Sequence, residues 1–161
     1  MTGFEKMIYT CFLWVVVYLI TLYITNKMGV GSNVLKHALK WLSQLRKLCR
    51  SFQELITSKE FSIKSNKSVV ELSKIIRCQK AIMRLFTVYL YDDKTDKDVK
   101  GAKSYVADIP DFCRKALIMV SEGTGADVTD FFKQIEDKIS SAESLVKKAL
   151  EYDIKSEMLK I

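Results

Sequence analysis

Charged and apolar residues are distributed very unevenly along this chain, and the first block is the least polar. Twenty consecutive residues, Met7–Asn26 (MIYTCFLWVVVYLITLYITN), carry no charge. As a helix this run is roughly 30 Å long, about the hydrocarbon thickness of a bilayer. Trp14, Tyr18 and Tyr23 add aromatic bulk, and Thr10, Thr21 and Thr25 can bond back to their own helix. A buried core helix is the competing reading, but it needs a protein large enough to enclose it on every side. A cleaved signal peptide is the third. Its leading segment pairs Glu5 with Lys6, the apolar stretch is longer than such peptides use, and Gly29–Val30–Gly31–Ser32 puts Val30 where a small residue belongs. The pattern predicts an uncleaved transmembrane signal anchor over residues 7–26, preceded by a short external segment at residues 1–6.

Residues 27–33 then read as a hinge. Gly29 and Gly31 disfavour helix by about 1 kcal/mol each, and Ser32 or Asn33 can cap a new one. From Val34 a helical period sets in. Leu35, Ala38, Leu42, Leu45, Cys49, Phe52 and Ile56 alternate spacings of three and four over three heptads. Leu39, Trp41, Leu48 and Leu55 widen that stripe beyond a narrow two-stranded seam, while Lys36, Lys40, Gln44, Lys47, Ser51 and Glu54 take the opposite face. The expectation is a basic juxtamembrane amphipathic helix over residues 34–57. Its apolar face either packs in a bundle or lies in lipid at the membrane interface. Bundle packing is preferred, because the later helices need a partner.

Residues 58–67 are polar and read as a linker. Ser68 followed by Glu71 matches a capping box. A helix from there to about Tyr91 would bury Leu72, Ile75, Ile76, Ile82, Met83, Phe86 and Leu90, leaving Arg77, Lys80 and Arg84 toward water. Asp92–Asp98 reads as a solvated turn, and Lys103–Ile109 as a short helical turn or irregular segment. Pro110, after a capping Asp108, opens another helix that Gly123 stops. The last helix runs from about Asp127 to at least Tyr152. Val128, Phe132, Ile135, Ile139, Ala142, Val146 and Ala149 form its stripe, broadened by Phe131, Leu145 and Leu150. Glu143–Lys147 and Glu151–Lys155 stand four apart in the favourable order. Residues 68–161 thus complete the bundle. The fold class expected is all-α: a single N-terminal transmembrane helix, then a small helical bundle with coiled-coil-like amphipathic helices.

Charge sharpens this picture. The formal net charge is +7, and all of the excess lies in residues 27–67, where nine bases face Glu54 and Glu60. The segments before and after are each neutral. Lys27, Lys36, Lys40, Arg46, Lys47 and Arg50 follow the span without an intervening acid. Bases so close to a span are retained on the cytoplasmic side, which predicts an outside N-terminus and a cytoplasmic bundle. These six are the expected contacts with anionic headgroups or a protein partner, each worth about 1 kcal/mol near an anionic leaflet. A nucleic-acid interface would need a basic face on the distal domain, and the neutral distal part argues against one.

Candidate chemistry adds little. Cys11, Cys49, Cys78 and Cys113 are widely spaced and contain no CxxC pair, so reduced, buried thiols are expected. Cys11 has only its position near the membrane face to suggest palmitoylation. His37 has no acid nearby in sequence, and one histidine with four scattered cysteines does not make a zinc site. A calcium loop at Asp96 and Asp98 would put Lys100 at position five and Ala107 at the bidentate position, which rules the reading out. Gly123–Thr124–Gly125 lacks both the preceding strand and the GKS/T ending of a phosphate loop. No catalytic, cofactor or metal residue is therefore assigned. Two functions remain: a non-enzymatic membrane-anchored interaction protein or accessory subunit, and an oligomerising protein that permeabilises the bilayer through its span and basic helix.

Overall fold

The computed structural model describes residues 2–27, 30–58, 61, 66–89, 94–123 and 127–159, without the side chains of residues 22–31 and 157. Among them every regular element is an α-helix: α1 (Gly3–Lys27), α2 (Val30–Thr57), α3 (Lys67–Val88), α4 (Asp96–Ala107), α5 (Ile109–Ser121) and α6 (Thr129–Leu159). The all-α bundle expected from the periodicity is therefore present.

The first helix stands apart from the core. Gly3–Thr21 is long and apolar enough to cross a membrane, and none of that window is buried. A capping box forms at its start, where the amides of Thr2 and Glu5 each bond the other residue's side chain at 3.3 Å. Thr10 and Thr21 hydroxyls donate to the carbonyls of Lys6 and Val17, both at 2.8 Å, so these polar side chains are satisfied within their own helix. The Thr25 side chain lies outside the described residues.

The bundle closes without α1. Helix α2 packs between α3 and α6, α4 lies along α6, and α5 fills the remaining side against α6 and α3. The seven stripe residues of α2 are all buried, as are Val128, just before α6, and the six stripe residues within α6. Face-to-face burial of two long stripes is what a seven-residue repeat selects. Phe52 and Phe132 meet across this seam with ring centroids 6.1 Å apart. The stripe of α2 is thus spent on protein packing.

Several local expectations change. Helix α2 begins at Val30, so Ser32 lies inside it and is buried instead of capping; Met28 and Gly29 fall outside the described residues. Helix α3 begins at Lys67 after Asn66, with no side-chain cap bond, which places Ser68 in a buried position and frees Glu71 to pair with Lys74 at 3.0 Å. The largest change is α4. Val99, Ala102 and Val106 are fully buried, and the run expected to be part turn and part irregular is a twelve-residue helix opened by Asp96 and Asp98. Those carboxylates sit in the first turn, where the helix dipole favours them. Leu90, Asp92 and Asp93 lie outside the described residues.

Asp108 and Pro110 open α5 as expected, though Asp108 makes no side-chain cap bond. Gly123 follows its end with φ +62°, a left-handed conformation suited to glycine. Helix α6 continues in one piece to Leu159. Its outer turns are tied down by Tyr89, whose hydroxyl donates to Asp153 at 2.5 Å and lies 3.3 Å from Thr95 Oγ1.

Candidate partner interface

Successive residues of a helix are rotated by about 100°, so the residues of α2 that flank its core stripe fall on two opposite sides. The side toward α6 is polar. Arg46 Nε bonds Glu136 at 3.1 Å, its Nη2 bonds Ser140 at 3.2 Å and Glu143, and Arg50 Nε reaches Glu136 at 2.6 Å. The Arg46 and Glu143 side chains are only 20% and 16% exposed, so water screens this pair weakly. The bond to Glu143 raises the Arg46 pKa, burial opposes that rise, and Glu136 adds to it. Glu143 therefore serves α2 instead of the expected Lys147 on its own helix.

This fixes where the six predicted contact bases stand. Arg46 and Arg50 are engaged with α6, while Lys36, Lys40 and Lys47 are exposed on the outer face of α2. The Lys27 side chain is outside the described residues. The structure thus separates a structural pair of arginines from a lysine face, a division invisible in a list of positive residues. Exposed His37 sits beside that face.

The side toward α3 is apolar and incompletely covered. Trp41, Leu48 and Leu55 recur every seven residues along it, with Trp41 41% exposed. Two contiguous hollows of about 620 and 260 Å³ follow the α2–α3 seam and share Leu48 and Lys74. Val70, 51% exposed, lines the first, and Cys78 lines the second. The α3 rim supplies Lys67, Lys74 and Arg77 against a single acid, Glu71, which is paired with Lys74. The periodicity had already shown Leu48 and Leu55 as surplus to a narrow seam. It could not show that α3 brings three bases to the same edge.

All four thiols are free; Cys49, Cys78 and Cys113, from α2, α3 and α5, are buried as expected, whereas Cys11 is exposed because α1 packs against nothing in the bundle core. Cys78 Sγ donates to the Trp41 carbonyl at 3.4 Å. A hydrogen bond with Cys113, then burial, pushes the Cys49 thiol strongly up, and burial pushes Cys78 up to about 11. Thiols held protonated in this way are packing groups and poor nucleophiles. Among the described residues no group of three or more His, Cys, Asp or Glu side chains is placed to hold a metal ion. No family model, no curated protein and no solved structure matches this chain.

Proposed function

We propose that this chain is a non-enzymatic, membrane-anchored interaction protein, or an accessory subunit of a membrane assembly, that holds a helical bundle at the cytoplasmic surface. The observation that carries the reading is the exposed apolar helix α1 beside a core complete without it. In water, an isolated helix with Phe12, Trp14 and Tyr18 exposed on its surface is unfavourable, and hydrocarbon removes that cost. The lysines of α2 then meet anionic headgroups, and the positive-inside bias sets the orientation. The permeabilising alternative requires the α2 stripe to face lipid. Burial of Leu42 and Leu45 inside the bundle favours the anchored module over it.

Carbonate washing of membranes from cells expressing the full chain tests the anchor, and protease protection of sealed vesicles tests the orientation. The expected result is a pelleted protein whose bundle is digested from the cytoplasmic side. Release as a detergent-independent monomer would overturn the reading.

A further inference from the structure

We infer that the α2–α3 groove is the docking site for an acidic amphipathic helix of a partner protein. The inference rests on the interaction-module reading and names the kind of partner. Three features define the occupant. The floor residues Trp41, Leu48 and Leu55 are spaced by sevens, and Lys67 and Lys74 on the facing helix keep the same interval. A helix laid along the seam presents its own apolar residues at that interval, as a third strand does in a coiled coil. Trp41 to Leu55 spans roughly 21 Å, enough for about four helical turns.

Charge then selects the sign of the partner. Lys67, Lys74 and Arg77 of α3 line the groove with one acid, Glu71, while its α2 edge carries the neutral Gln44 and Ser51. Among the described residues Arg77 has no carboxylate partner. A helix flanked by Asp and Glu neutralises the α3 edge while its apolar ridge covers the floor. A second copy fits less well. Its exposed apolar end, Ile154, Met158 and Leu159, covers about half the groove's length at most. A flat anionic leaflet supplies the charge but no ridge to fill the hollow.

The groove contains its own reporter. Trp41 is one of two tryptophans in the chain, so Trp14→Phe leaves its emission alone. The full-length W14F protein is placed in phosphatidylcholine nanodiscs and titrated with an 18-residue helical probe peptide, Leu at heptad spacing and Glu on both flanks. A saturable blue shift at micromolar peptide is expected, weakened roughly tenfold between 0.1 and 0.5 M salt. Lys74→Glu with Arg77→Glu should lower affinity at least tenfold, as should Val70→Asp. Lys133→Glu, exposed on α6 across the bundle from the groove, should leave it within twofold. Far-UV circular dichroism and an unchanged melting temperature establish that each variant is folded.

Absence of a shift up to 100 μM peptide overturns the assignment, as does equal binding of a peptide with Lys in place of Glu. So does a Trp41 shift produced without peptide, whether by phosphatidylserine in the disc or by raising protein concentration. Those results would give the groove to lipid or to a second copy. Membrane extraction does not involve the groove, so failure here leaves the anchoring result standing.

Discussion

At the scale of single residues, the chemistry of two buried thiols is changed, Cys49 by a hydrogen bond with Cys113 and then burial, and Cys78 by burial. Cys78 is 3% exposed, and removing its thiolate from water is unfavourable. With its folded pKa near 11 against an ordinary 9.0, the unfolded chain loses this proton first as pH rises. The stabilising contribution is complete below pH 9 and is lost between about 9 and 11, at no more than about 1.4 kcal/mol per pH unit. Cys49 is shifted in the same direction. Urea unfolding across this range should therefore show a falling midpoint, and Cys78→Ala should flatten part of the slope. In a Cys11→Ser background a thiol reagent at pH 8 should find no reactive group in the folded protein and three after denaturation. Rapid labelling of the folded form would mean that the α2–α3–α5 junction is open.

Individual helices differ in how plainly their sequences declare them. Helices α2 and α6 carry long apolar stripes, the second led by Val128 just before the helix, that are buried without exception, since a repeating apolar face has one way to leave water. Helix α4 buries only Val99, Ala102 and Val106, set among Asp and Lys, and its pattern is too sparse to read alone. Its stability comes from α6. Gly101 lies at the contact, and a Cβ there would stand 2.9 Å from Leu145 Cδ1. Gly101→Ala gains about 1 kcal/mol of helix propensity and displaces only the flexible tip of Leu145. The net change in urea unfolding should therefore stay within about 1 kcal/mol. Gly101→Leu has no such escape and should destabilise by about 1–3 kcal/mol. Equal tolerance of both would show that α4 does not press on α6 at this point. The capping box illustrates the same dependence on context: Thr2 and Glu5 form one, whereas Ser68 and Glu71 do not, because packing draws Ser68 into the core.

For the molecule as a whole, the division between α1 and the bundle predicts how the chain responds to truncation. None of the buried core residues belongs to the described part of α1. A chain shortened to residues 28–161 should stay helical, remain monomeric in plain buffer and unfold in one transition by calorimetry. The full chain should need detergent or lipid. Aggregation of the shortened form, or loss of its single transition, would show that α1 is part of the soluble fold. Sequence alone determined the apolar first helix, the basic region that follows it and the two long stripes, because each is a periodicity or composition contained within one segment. It did not determine α4, or the separation of Arg46 and Arg50 from Lys36, Lys40 and Lys47. Those depend on which flank of α2 meets α6, and the glutamates that decide it lie 86 to 97 residues further along the chain. The basic-edged groove has the same origin: its floor and its charges come from two helices, and only their packing brings them into one place.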